Sequence, residues 1–210
     1  MAIESKTSQR PYRKRLRAER EERTRERITE AAVKLHGSVG PARTTVSGVA
    51  REAGVQRATV YRHFPTEESL FDACTAHYWA RHPLPDPASW AAIRDPGTRL
   101  RHALREMYAF FDEVEPMLEN TARDAPRVPA MATARQRFLG YLDAVIDAIA
   151  AGRHERGAAR RRMHAALGHA VSFPTWQSLV RSQGLDEGEA VAVMAALVEA
   201  AGSARPRASG

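Results

Sequence analysis

Apolar residues recur along this chain at the three- and four-residue spacing of helices, and nowhere over any length in the alternation of a half-buried strand. The pattern predicts an all-α protein. Ile28, Ala31, Ala32 and Leu35 form one stripe on a first helix over residues 23–36, which "GSVGPA" (37–42) ends. A second, short helix opens at Thr44 or Thr45, either hydroxyl being able to cap the first turn, and stops at 53–54. A third covers 56–63. Thr66 caps a fourth, with Glu67 and Glu68 placed favourably against the helix dipole; Leu70, Phe71, Cys74 and Tyr78 carry it to 81. "HPLPDP" (82–87) breaks that helix. Broad apolar faces follow over 98–115, 130–151 and 157–181, the last with Pro174 as an expected kink. Asp186 and Glu189 have capping-box spacing ahead of a final helix. The expected organisation is a disordered basic arm over 1–22, a head over 23–81, a larger helical domain over 82–202 and a disordered tail over 203–210.

Charge changes the picture more than composition does. The net charge is +7, but residues 1–64 hold 15 Lys/Arg against 7 Asp/Glu, a net of +8, and the remainder is close to neutral. A positive excess confined to one third of a chain points to a polyanionic partner for that third. Ten Lys/Arg fall within residues 6–27. Arg10, Arg13, Lys14, Arg15 and Arg17 are expected to follow phosphates or enter a minor groove, while the Glu-interleaved run from 20 to 27 reads partly as a solvated helix surface. Hydrophobic residues make up 43%, enough for a core. A single cysteine, Cys74, rules out an intrachain disulfide framework, and neither a signal peptide nor an uninterrupted apolar span is visible. Cytoplasmic residence without membrane contact is expected.

The chemistry concentrates in "AGVQRATVYRHF" (53–64). Two short helices joined through about three residues around Gly54 form a helix-turn-helix, with Gly54 free to take positive φ. Ala50 permits close approach, and Val49, Val55 and Val60 turn inward. That leaves Gln56, Arg57, Thr59, Tyr61, Arg62 and His63 facing outward. Gln pairs with adenine and Arg with guanine in the major groove, whereas hydroxyls and other guanidiniums reach phosphates. The starts of the second and fourth helices, at Thr44 or Thr45 and at Thr66, add backbone N–H groups.

"TTVSGVAREAGVQRATVYRHFPTEESLF" (44–71) resembles the DNA-binding segment of the tetracycline-repressor-like (TetR) regulators. The Ala-Gly-Val turn, the Thr59-x-Tyr61-x-x-Phe64 run and the Glu68-x-Leu70 opening of the fourth helix carry the match, together with the stripe on the first helix. Three positions depart from the family pattern: Gln56 replaces a small capping Ser, Ala58 replaces Gly, and Glu67 replaces Lys, which removes a phosphate contact from that side chain. The resemblance implies an N-terminal three-helix DNA-binding domain with a helix-turn-helix and a larger C-terminal helical domain for ligand binding and dimerisation. It also implies a homodimer on a palindromic double-stranded operator, repressing until a small-molecule effector releases it. DNA contacts are then expected from Thr44, Thr45, Gln56, Arg57, Ala58, Thr59, Tyr61, Arg62, His63 and Thr66, with Arg13, Lys14 and Arg15 of the arm. Leu167, Val191, Met194, Ala195 and Val198 are expected in the dimer interface.

The larger domain has many aromatic residues. Trp90, Met107, Tyr108, Phe111, Phe138, Tyr141, Phe173 and Trp176 are candidate walls of an apolar effector pocket, with His102, His169, Arg123 and Asp124 as polar anchors. Core packing is the competing reading for each one singly. No catalytic triad, phosphate loop or H-E-x-x-H pattern is present, and His164 and His169 are five apart, off the spacing that would let one helix hold a metal. Neither an enzyme nor a cofactor or metal is expected. An architectural DNA protein without effector remains an alternative; it would bind random and promoter DNA alike at fixed salt.

Overall fold

The computed structural model describes residues 6–203, with side chains from Tyr12 onward. Its helices are α1 (Lys6–Ser38), α2 (Val46–Glu52), α3 (Arg57–His63), α4 (Glu67–Arg81), α5 (Pro96–Asp124), α6 (Ala132–Ala150), α7 (Gly157–Ala170), α8 (Phe173–Trp176) and α9 (Glu187–Ser203). Short 3-10 segments occupy Pro41–Arg43, Pro87–Ala92, Ala125–Arg127 and Pro129–Met131, and a π-turn covers Gln177–Ser182. Among the described residues there is no strand. No described helix is long and apolar enough to cross a membrane.

The chain divides into two compact units. One contains everything described up to His82 together with Glu119–Ala134; the other contains Pro83–Leu118 and the chain from Arg135 on. The second unit begins at Pro83, and residues 119–134, within the domain expected over 82–202, group with the head. Polar side chains explain this. Asn120 Nδ2 donates to the Gly37 carbonyl at 2.8 Å, and the Ala42 N–H donates to Asp124 Oδ2 at 3.0 Å. Asp124 is 2% exposed and accepts from Arg123 Nε at 2.8 Å. Those hydrogen bonds, first from Arg123 and then from Ala42, hold its carboxyl below the usual carboxylate range against the opposing effect of burial. Gly40, at φ 92°, lies so close to Arg123 and Asp124 that a Cβ there would overlap both.

In the head, Ile28, Ala31 and Ala32 of α1 pack with Val49, Ala50 and Ala53 of α2 and the turn, Val60 and Phe64 of α3 and its end, and Leu70 and Cys74 of α4. Burial pushes the Cys74 thiol up to about 12, so it stays protonated and inert. The arm expected to be disordered over 1–22 is helical from Lys6, and α1 begins 17 residues before the expected start at 23. Ion pairs one turn apart, Arg15 with Glu19 at 3.5 Å and Arg17 with Glu21 at 3.0 Å, support that extension. The expected tail over 203–210 lies, beyond Ser203, outside the described residues.

In the second unit, α5 presents Leu100, Ala103, Leu104, Met107, Tyr108, Phe111 and Val114 as a fully buried face. It runs past the expected end at 115 because Pro116 costs one backbone donor without stopping the helix. The helix expected over 157–181 is broken. α7 ends at Ala170, and Pro174 sits in the first turn of α8, where its missing N–H is harmless, rather than at a kink. The Asp186/Glu189 box forms as spaced: Asp186 Oδ1 accepts from the Glu189 N–H at 2.8 Å, and Glu189 Oε2 from the Asp186 N–H at 3.0 Å.

Candidate nucleic-acid interface

Gly54 takes φ 63° between α2 and α3, and the Val55 N–H reaches back to the Ala50 carbonyl at 2.9 Å. The turn therefore closes α2 before α3 begins, and one buried side chain, Val60, anchors α3 to the core. Gln56, Arg57, Ala58, Tyr61 and Arg62 are exposed; Thr59 is half-buried. Arg57 and Tyr61 form a pair one turn apart, Arg57 Nη2 donating to the Tyr61 hydroxyl at 3.1 Å with the guanidinium 5.5 Å from the ring centroid. The exposed face of α3 thus carries one amide, two guanidiniums and one phenol, all able to donate to DNA.

His63, expected outward, is half-buried, and its Nε2 is buried without a hydrogen-bond partner. Burial, then the charges of Arg62 and Arg25, lowers its pKa. The residue that holds this end of α3 is Arg25. Its Nη1 donates to the His63 carbonyl at 3.0 Å, and its guanidinium lies 4.4 Å from the centroid of Phe64. Within the Arg/Glu run of α1, no sequence pattern separates Arg25 from its solvated neighbours.

Of the two threonines before α2, Thr45 is the cap, accepting from the Gly48 N–H at 3.0 Å, whereas the half-buried Thr44 donates to the Gly40 carbonyl at 2.9 Å. Thr66 caps α4 in a reciprocal box with Ser69. Arg13 and Lys14 are exposed on α1; Arg15 is exposed and paired with Glu19. Arg10 lies outside the residues whose side chains are described.

The candidate effector residues cluster differently from a pocket wall. Trp90, Met107, Tyr108 and Phe111 are 0% exposed, and Phe173 and Trp176 are buried. Phe111 contacts Tyr108, Phe110, Phe173 and Trp176 at centroid distances of 5.7–6.4 Å. These rings fill one another's space. The Tyr108 hydroxyl donates to the Ala170 carbonyl at 3.0 Å, that of Tyr141 to Pro85 at 2.9 Å, and Trp90 Nε1 to Glu106 at 2.7 Å. Phe138 and Tyr141 are half-buried and adjacent. Of the four expected anchors, Arg123 and Asp124 belong to the head, His102 pairs with Glu106 at 3.0 Å and His169 with Thr175 at 3.1 Å.

The expected dimer residues are also occupied within the chain. Leu167, Val191, Met194, Ala195 and Val198 are all buried, because α7 and α9 pack on each other. The outer face of α9 instead exposes Val193 and Leu197, 48% and 47% accessible, one turn apart.

A helix-turn-helix with a cation-bearing, outward-facing second helix, joined to a larger helical unit, defines a DNA-binding protein of the regulator type. Residues 28–74 match the family model for bacterial regulatory proteins of the tetR family. The nucleoid occlusion factor SlmA of Marinobacter nauticus is 45% identical over 49 residues, which are 23% of this chain and 25% of that protein. The chain thus spans about a quarter of the length of that curated relative. Among solved structures, HlyIIR, a hemolysin II transcriptional regulator, superposes with a TM-score of 0.59 at 20% identity, over 82% of this chain and 97% of its own. A TetR transcription regulator from Haloarcula marismortui gives 0.58 at 19%, over 85% and 98%. NalD of Pseudomonas aeruginosa, the secondary repressor of the MexAB-OprM multidrug efflux pump, gives 0.57 at 20%, over 87% and 97%. Identities of this size establish a common fold.

Proposed function

We propose that this protein is a transcriptional repressor that binds a palindromic operator as a homodimer and leaves it when a small effector binds. The observation that carries the reading is the exposed α3 face, with Gln56, Arg57, Tyr61 and Arg62 held over a buried Val60 by the Gly54 turn. Gln56 and Arg57, at the start of α3, read base edges; Tyr61, Arg62, Thr45 and Thr66 take phosphates. Repression agrees with the role stated for NalD, whose fold this chain shares. One α3 reads only a few base pairs, so two must be presented about 34–36 Å apart, which requires a dimer.

The direct test is footprinting on the chain's own upstream region, followed by titration of the isolated duplex. A protected site with two-fold symmetry supports the reading; uniform coverage of random DNA at the same salt favours the architectural alternative. That alternative draws support from the 45% identity over 49 residues to a protein named as a nucleoid occlusion factor.

Two further outcomes are expected. Leu197→Asp should convert a dimer into a monomer in sedimentation, because it puts a charge on the apolar outer face of α9; a dimer unchanged by the substitution places the interface elsewhere. Deleting residues 1–20 should flatten the slope of log K against log salt by about one for each phosphate that the arm no longer neutralises. Arg13 and Lys14 carry that expectation, since Arg15 and Arg17 already face Glu19 and Glu21. An unchanged slope excludes the arm.

A further inference from the structure

The head contains a cleft of about 550 Å³ on a surface that the α3 face does not use. That volume lies within the range of small-molecule sites. Its lining includes apolar side chains, Val46 and Val49 from α2 and Leu70 and Phe71 from α4. Arg43 and Arg127 also line it, both exposed; among the described residues neither guanidinium has a hydrogen-bond or ion-pair partner, and Arg127 acts at longer range on the Asp124 carboxylate. Three other charged side chains line it, Arg123, Asp124 and the carboxylate Glu67. Arg123 and Asp124 neutralise each other in an ion pair at 2.8 Å, and Glu67 is exposed in the first turn of α4. His36 is stacked on Phe71, ring centroids 4.6 Å apart, so it contributes an aromatic wall.

Two exposed guanidiniums beside apolar side chains suit a ligand with the complementary halves. We propose that this cleft binds a small amphipathic carboxylate, its head group paired with Arg43 and Arg127 and its hydrocarbon body lying on Val46, Val49, Leu70 and Phe71. A DNA phosphate would satisfy the guanidiniums but leave the apolar side chains uncovered. The site belongs to the head alone, so ligand binding does not depend on the DNA-reading assignment. Where both hold, the effect is reciprocal: Thr44 and Thr45 line the same cleft, and ligand and operator change each other's affinity by one common factor.

The experiment titrates the full chain, without DNA, with decanoate, decanol and acetate by calorimetry, and maps amide shifts. Decanoate is expected to bind with shifts at Val46, Val49 and Leu70, and decanol and acetate at least ~10-fold more weakly. Arg43→Ala with Arg127→Ala is expected to weaken decanoate by at least ~10-fold. Both side chains are exposed, so the unfolding midpoint should be unchanged; if it moves, the Gln pair repeats the test. The proposal is overturned by decanol binding as well as decanoate, by equal decanoate binding in the variant, by shifts confined to residues around Tyr108 and Trp176, or by no binding. A variant that loses duplex DNA but keeps decanoate equally overturns it and makes the two arginines phosphate contacts.

Discussion

Arg57→Ala combined with Tyr61→Ala is expected to weaken retardation of a cognate operator fragment by more than ~100-fold at fixed salt, with the fold intact. Both side chains are exposed on α3, so truncation leaves the core untouched. Each head loses one candidate base-reading guanidinium, worth about 1–3 kcal/mol when bidentate, and one candidate phosphate-bound hydroxyl, worth about 0.5–1.5 kcal/mol. Their mutual hydrogen bond, 3.1 Å in the free protein, means that removing either residue alone also releases its neighbour. The roles are separated by sequence dependence, not by the size of either single loss. Arg57→Ala should relax sequence preference at one position of each half-site, while Tyr61→Phe should weaken all sequences alike. A folded double variant that retards the fragment as tightly as the parent removes the DNA-reading assignment of this helix.

The head was legible because its signals are local. Gly54, the Thr66 cap and the inward Val60 each act within one or two turns, and each appears where the spacing puts it. What escaped depends on long-range contacts. The carbonyl that Arg25 holds is 38 residues away, and Asn120 and Asp124 lie more than 80 residues from the turn they grip. No helical period encodes such pairings, which is why 119–134 looked like part of the larger domain. His63, at the last position of α3, is half-buried, where helical spacing alone puts it outward. In the second unit, periodicity identified the apolar face of α5 without saying what covers it. The same stripe suits a pocket wall or a filled core. Likewise the resemblance puts Leu167 and Val198 in a dimer interface, and within the chain packing of α7 on α9 buries them.

That ambiguity makes Phe111→Ala informative, and it is expected to destabilise the protein by about 3–5 kcal/mol in denaturant unfolding. The ring is 0% exposed and touches four other aromatic rings, so truncation loses the transfer free energy of the ring and leaves a cavity that rigid neighbours cannot collapse. A residue on the wall of an open effector pocket behaves differently. Its ring would already face solvent on one side, and removing it would cost about 1 kcal/mol, near the ordinary surface-to-core average. Measuring the midpoint with and without a small aromatic molecule sharpens the distinction. In a filled core, the variant creates an apolar hole that such a molecule re-enters, restoring part of the loss, while the parent shows no response. A cost near ~1 kcal/mol, together with stabilisation of the parent by the same molecule, would return Tyr108, Phe111 and Trp176 to the walls of an effector site. The full cost, with rescue confined to the variant, keeps them in the core and leaves effector binding to be sought at surfaces such as the cleft lined by Arg43 and Arg127.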